Sequence, residues 1–480
     1  MSVERMPRGS EFAPRVLLPG FAGTEVPSWL GEAIEAGLAG VCLFAGNVSA
    51  DDPQGTAVLA EALRAHRSDV IVALDEEGGV VTRLEAPGGS TLASPAQLGL
   101  LPAQATARTG SILAERLRAA GVTLVLAPDG DVNDNLLNPV IGARSFGADP
   151  AVVAERVAAA VTAIQAGGVA ACVKHWPGHG DTAVDSHRGV PTVPERTTER
   201  HAAPFAAAFG AEAAAVMTAH IVVPEWGSAP VTLNEAALAR LRALTDAVIV
   251  TDAVDMAAVA ADAGPGAAAV RAIAAGVDLV CIGNPQLAGV DDAAQYREVA
   301  DAVAAAVDDG RIPLARIRDA ADRVARLAAR YPAGAGDAAA EPAPSETAVQ
   351  RPAPDAAIVD ALAAALAEAS TVDPLALARI AAVRDARRGP SIAVATRARP
   401  VSEWLAARAG VAGSAPTVVV ADRLDDDQRA VIDDARAQGA YVVVNVGPIG
   451  QAAPHPTVEL GADSPLSVCV LETWLGGGAR

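Results

Sequence analysis

Before Arg330 the chain repeats one arrangement eight times: a short run of β-forming residues, a loop, then an Ala-rich stretch of helical pattern. The runs are Arg15 to Leu18, Val41 to Phe44, Val70 to Leu74, Val122 to Leu126, Val169 to Val173, Ala215 to Thr218, Ala247 to Val250 and Asp278 to Ile282. Strands that alternate with helices must pair in parallel, and eight such units are the number that closes a (β/α)8 barrel. Polar residues stand directly after these runs: Asn47, Asp75, Asp129, Lys174 with His175, His220, Asp252 and Asn284. In a barrel they ring the carboxyl-end face, where loops vary while strands hold position and where barrel chemistry is placed.

A chain of 480 residues exceeds one ordinary core. From Tyr331 to Pro354 it turns to Pro, Ala, Gly, Glu and Ser with little apolar periodicity, as a linker does. The expected organisation is therefore a catalytic barrel over 1–330, a Pro/Ala-rich linker over 331–354 and a smaller α/β domain over 355–480. In that last part, helical Ala/Leu patterning from Asp355 to Val383 precedes strand-like runs at Ser391 to Ala395, Thr417 to Ala421, Tyr441 to Val446 and Leu466 to Leu471.

The net charge of -20, with no basic run, argues against nucleic acid, which is bound mainly through clustered Lys and Arg. Met1 to Ala13 carries charges and no apolar stretch, so a cytoplasmic address is expected. The longest uncharged run, Val157 to Val173, divides into a helix end, a turn and a strand rather than a membrane span. Cys42, Cys172, Cys281 and Cys469 stand singly in apolar strand-like runs, as buried reduced thiols do.

Chemistry concentrates between Lys174 and His187, where three histidines, two aspartates and a lysine share one loop with Pro177, Gly178 and Gly180. So many titratable groups in a segment free to follow a tight path mark an active-site loop. The run Lys-His-Trp-Pro-Gly-His-Gly-Asp-Thr, followed by Asp-Ser-His at 185–187, resembles the signature of family 3 glycoside hydrolases, in their β-N-acetylglucosaminidase branch.

The resemblance implies roles. In Thr251-Asp252-Ala253-Val254-Asp255-Met256, Asp252 matches the family's nucleophilic aspartate, while Ala253 stands where the family has a second aspartate. Asp185 and His187 match a dyad that serves as general acid and base. Imidazole suits that task because its ordinary pKa near about 6.5 lets it give and take a proton at neutral pH. Asp75, in Leu74-Asp75-Glu76-Glu77-Gly78-Gly79, matches a sugar-gripping element, and Arg83 keeps its offset, although Val80 replaces an arginine. Arg144, Lys174 and His175 complete the implied grip. His179 and Asp181 are read as shaping the loop, and His220 with Met217 as a wall. The strands after the linker resemble the family's α/β-sandwich domain, and Ala462-Asp463-Ser464-Pro465 a worn form of its terminal motif.

The implied activity is that of a retaining exo-β-N-acetylglucosaminidase on short glycans or muropeptides, as in peptidoglycan recycling. It needs no cofactor or metal, and its partner is a small carbohydrate rather than nucleic acid or membrane. Aromatic residues at 3% offer no stripe of stacking platforms for a long polymer. Two neighbouring readings share the motifs: a phosphorylase in which phosphate replaces water, and a noncatalytic sugar-binding homologue. A metal-dependent barrel hydrolase using His175, His179, Asp181 and His187 is opposed by the lack of a His-x-His pair in the first strand and by Lys174 beside His175.

Overall fold

The computed structural model describes residues 8–48, 54–183, 189–260, 264–285, 289–333, 352–370, 372, 374–377, 379–387, 398–410, 415–449 and 455–477. Its first part is a ring of eight strands: β1 Leu17–Pro19, β2 Gly40–Leu43, β3 Ile71–Leu74, β4 Leu124–Val125, β5 Ala170–Trp176, β6 Ala215–Thr218, β7 Val248–Thr251 and β8 Val280–Gly283. Strands β2 to β7 form one parallel sheet in sequence order, and β8 pairs in parallel with β1, Leu17 lying opposite Val280. A parallel bridge between Val250 and Leu279 joins β7 to β8. At the remaining seam, β2 approaches β1 through Gly40, where a Cβ would lie 3.0 Å from Leu18 Cδ1. This is a TIM-like barrel, with its helices outside.

Alternation along the strands decides what faces where. Leu18, Cys42, Ile71, Ala73, Leu124, Leu126, Cys172, Met217, Val250 and Leu279 pack together as the barrel interior. Their neighbours Val41, Leu43, Val72, Leu74, Val125, Val173, Val216, Ile249 and Val280 belong to the separate core between sheet and helices. The same parity, carried two residues past Ala73, Cys172 and Val250, reaches Asp75, Lys174 and Asp252. Apolar packing of the strands thus sets these three residues in register at the mouth.

The second part is a four-stranded parallel sheet in the order β12-β11-β10-β9, with β9 Ala382–Asp385, β10 Thr417–Ala421, β11 Tyr441–Asn445 and β12 Thr457–Glu459. Three sequence expectations change here. Leu466 to Leu471 is not a strand but lies inside a helix, Pro465–Gly477. Pro465 suits a first helical turn, and the Ser464 hydroxyl accepts from the Ser467 amide. The fourth strand position goes instead to Thr457–Glu459, a run too short to stand out. The helical pattern assigned to Asp355 through Val383 breaks after the helix Ala356–Ala369, and Ala382 with Val383 opens β9. Ser391 to Ala395 lies outside the described residues, as does most of 331–354. Of the thiols, Cys42, Cys172 and Cys281 are buried, whereas Cys469 is half-buried on the terminal helix.

The two parts share polar contacts. Ser94 Oγ donates to the Gly461 carbonyl at 2.9 Å, and Gln97 Nε2 donates to the Leu460 carbonyl at 2.8 Å and to Ser467 Oγ at 3.0 Å. Arg108 pairs with Asp355, the N-cap of the helix Ala356–Ala369, at 2.7 Å.

Candidate active site

Beyond β3 the chain reverses at Gly78 and Gly79, both at positive φ (86° and 58°). A Cβ on Gly78 would lie 2.6 Å from the Ala93 carbonyl oxygen, and one on Gly79 2.3 Å from Ser94 Cβ, so the turn has room only for glycine. The reversal returns Arg83 to Asp75, with Nη2 donating to the carboxylate at 3.0 Å. Among the described residues its Nε and Nη1 find no acceptor. Glu76 points the other way, and its Oε2 accepts the Arg83 and Leu84 amides at 2.7 and 3.0 Å. Burial pushes the Glu76 carboxyl up to about 7.

Three strand ends then converge on a buried charge network. Lys174 Nζ, from β5, lies 2.7 Å from Asp75 and 2.6 Å from Glu77. Arg144 grips Glu77 with two parallel bonds of 2.9 and 2.8 Å, the strong bidentate form. Arg144 Nη2 is also 3.5 Å from Asp129 Oδ2 and 3.5 Å from His175 Nε2. His175 Nδ1 meets Asp131 at 2.7 Å. Nδ1–H therefore donates to the Asp131 carboxylate, and Nε2 is turned toward the guanidinium.

Burial opposes charge throughout this network, and the partners decide which groups keep it. Against the burial that pushes it up, Asp75 is held well below the usual carboxylate range by Lys174 and Arg83. Glu77, equally buried, is brought down to about 2 by Arg144 and Lys174. Asp131 is likewise held down by His175 and His179 despite its burial. Asp129 goes the other way: burial and the nearby Asp131 raise it well above its ordinary value. Asp75, Glu77 and Asp131 are thus the acids whose partners favour the charged form, facing Arg83, Arg144 and Lys174, while the surroundings of Asp129 favour its proton. Asp75 is the outward tip, its side chain 18% exposed against 2% for Lys174.

The loop after Lys174 is fastened from below. The His179 amide donates to Asp131 at 2.7 Å, and its ring meets the Thr182 hydroxyl at 2.7 Å, while burial lowers its pKa to about 4. Asn138 Nδ2 donates to the His179 carbonyl, and Asp181 accepts from the Thr197 hydroxyl. Gly180 lies so close to the β4 loop that a Cβ would sit 1.7 Å from the Val132 carbonyl oxygen. Asp185 and His187 lie outside the described residues.

Asp252 closes β7, its amide donating to the Thr218 carbonyl at 3.2 Å. Its half-buried carboxylate accepts the Ala253 amide at 2.8 Å and lies near enough to Cys172 and His179 to add slightly to the burial-driven rise of the thiol and to oppose slightly the burial-driven fall of the imidazole. His220 is buried and holds the adjoining peptide, Nε2 meeting the Ala253 carbonyl and Nδ1 the Thr232 hydroxyl, both at 2.9 Å. Asn47 serves the fold rather than the site: its amide donates to the Phe21 and Gly23 carbonyls and accepts from the Phe44 amide.

The structure thus joins Asp75, Arg83, Arg144, Lys174 and His175 in one network, with Asp252 across the same mouth. Sequence reading missed Glu77, which links Lys174 to Arg144, and Asp131, which orients His175. The signals were present in the second acid of Glu76-Glu77 and in the Asp-x-Asp spacing of Asp129 and Asp131 in the loop that follows β4. Asp129, Asp131 and His175 also bring potential metal-ligating atoms within 4.8 Å of one another. Arg144 already supplies a positive charge beside that trio, 3.5 Å from both Asp129 and His175.

Comparison with known proteins identifies the family and the fold. The model of the glycosyl hydrolase family 3 N-terminal domain matches residues 27–327. Beta-hexosaminidase A of Pseudoalteromonas piscicida is 30% identical over 340 residues, 65% of this chain but only 56% of that protein's own length. A beta-hexosaminidase of Xanthomonas oryzae pv. oryzae is 36% identical over 292 residues, 57% of this chain and 84% of that one. Among solved structures, a glycoside hydrolase family 3 beta-N-acetylglucosaminidase from Paenibacillus sp. str. FPU-7 superposes with a TM-score of 0.81 at 27% identity, over 98% of this chain and 96% of that one.

Proposed function

Because this chain belongs to glycosyl hydrolase family 3, we propose that it is a retaining exo-β-N-acetylglucosaminidase that removes a terminal N-acetylglucosamine from short glycans. The observation that carries the reading is the convergence of Asp75, Arg83, Arg144, Lys174 and His175 across the mouth from Asp252. Such a network is costly to bury and serves no packing need. It is suited to holding sugar hydroxyls in one pose, with Asp75 at its outer tip and Arg83 keeping two donors without an acceptor among the described residues. The substrate class rests on the names of the relatives. Muropeptide fragments are the proposed natural source.

In the proposed reaction the Asp252 carboxylate attacks the anomeric carbon, the bond to the leaving oxygen breaks, and His187, steadied by Asp185, gives that oxygen a proton. A glycosyl ester of Asp252 results. His187 then takes a proton from water, whose oxygen attacks the same carbon and releases Asp252, so that two inversions leave the configuration unchanged. The Ala253 amide steadies the carboxylate, and His220 fixes the peptide that carries that amide. A slow fluorinated N-acetylglucosaminide should label Asp252, and peptide mapping checks this. Label on another residue overturns the nucleophile assignment. Product analysis with and without phosphate separates hydrolysis from phosphorolysis.

A further inference from the structure

The carboxyl ends of strands in an open α/β sheet are where such sheets usually place their ligands. In the second domain two of those ends are turned instead against the barrel loop that carries Arg144. Beyond β10, Arg423 Nη2 donates to the Pro139 carbonyl at 3.3 Å. Beyond β11, Pro448 Cγ lies 3.5 Å from the place a Cβ on Gly142 would occupy, and Gly142 itself stands at φ +51°. Pro139 and Gly142 bracket the turn that leads to Arg144. Within it Asn138 Oδ1 accepts the Val140 and Ile141 amides, the Ile141 carbonyl accepts the Arg144 amide, and the Val140 carbonyl lies 3.4 Å from Arg144 Nη1.

The second-domain side is itself tightly built. Gln428 is fully buried, and its Oε1 accepts the amides of Asp422, Arg423 and Leu424 while its Nε2 donates to Asp422 at 2.6 Å. Asn445 holds the Pro448 carbonyl at 2.8 Å and the Gly447 amide at 3.0 Å. A Cβ on Gly447 would lie 1.6 Å from the Asp422 carbonyl oxygen, so the two loops are packed as one surface.

We infer that the second domain is a positioning element of the active site: Arg423 and Pro448 hold the 139–144 turn in the conformation that delivers Arg144 to Glu77 and to the substrate. This rests on the function proposed above for the substrate and on contacts alone for the turn. A group that binds substrate and transition state alike acts on KM with little change in kcat. In the full-length protein, Arg423→Ala should raise KM for a chromogenic N-acetylglucosaminide about three- to tenfold with kcat within about twofold. Arg423→Lys, which keeps a donor for the Pro139 carbonyl, should restore most of the loss. Arg108→Ala cuts a contact between the domains far along the chain from the turn, and should lower stability without moving KM. Amide hydrogen exchange over residues 140–145 supplies a readout independent of turnover, and should accelerate in Arg423→Ala but not in Arg108→Ala. Unchanged exchange in Arg423→Ala overturns the inference whatever the activity. A wild-type protein inert toward the substrate, with exchange still accelerated in Arg423→Ala, would overturn the proposed function and leave the positioning role standing.

Discussion

Glu77→Gln tests the charge network at its centre. Glu77 is 1% exposed at its side chain and accepts from Arg144 twice and from Lys174 once. The amide keeps one acceptor oxygen and loses the negative charge, so Arg144 and Lys174 lose the carboxylate they share. Removing one partner of a buried ion pair costs about 3–5 kcal/mol. Asp129 offers a partial remedy. Its carboxyl is raised first by burial, then by Asp131, and further by Glu77, while Arg144 opposes the rise. Neutralising Glu77 removes one cause and leaves Arg144 in need of an anion, so Asp129 gives up its proton more readily in the variant. The variant binds that proton more weakly than the wild type, and the loss of stability should therefore shrink as pH rises. The expected result is about 3 kcal/mol or more lost at pH 5, with a clearly smaller loss at pH 8. Urea unfolding followed by tryptophan fluorescence at the two pH values measures it, and titration with N-acetylglucosamine reports the accompanying loss of binding. A destabilisation below about 1 kcal/mol at both pH values, with binding intact, would refute the view that Glu77 joins Lys174 and Arg144.

Other outcomes follow from the same geometry. Asp252→Asn should reduce kcat by at least about a thousandfold while N-acetylglucosamine binding persists, as paired kinetics and calorimetry would show. Glu76, pushed up to about 7, is destabilising in its charged form. That penalty is absent below the unfolded carboxyl's pKa and sets in as pH rises through the folded one. Glu76→Gln should accordingly lose less stability at pH 8 than at pH 5, a difference of up to about 3 kcal/mol in thermal or urea unfolding. Gly180→Ala meets a backbone oxygen that cannot swing aside, and should yield poorly folded protein or a melting temperature lower by several degrees.

The strand rhythm was legible because the barrel strands alternate two apolar faces and, from β2 to β8, lead into a polar residue. Asp75, Lys174 and Asp252 could be placed from that parity alone. Glu77 and Asp131 were not, because their importance depends on contacts between loops far apart in the chain, and a second acid beside the first looks like any solvated loop residue. The second domain was harder to read for a related reason. Leu466 to Leu471 has the composition of a buried strand, and only the Ser-Pro start and the packing of a helix beneath it decide otherwise. Thr457–Glu459 is three residues long and leaves no periodic trace.

The interlocked ion pairs at the barrel mouth also bear on how this chain reaches its native state. Anions arrive on β3 and β4, the answering lysine on β5, and the second guanidinium on the segment between those last two strands. A nascent chain released only as far as β4 would hold several carboxylates with too few counter-charges, and could not dry that surface at neutral pH. Assembly of the mouth should therefore be all-or-none across the third to fifth repeats. Fragments divided between β4 and β5 should recover their fold only when both halves are mixed.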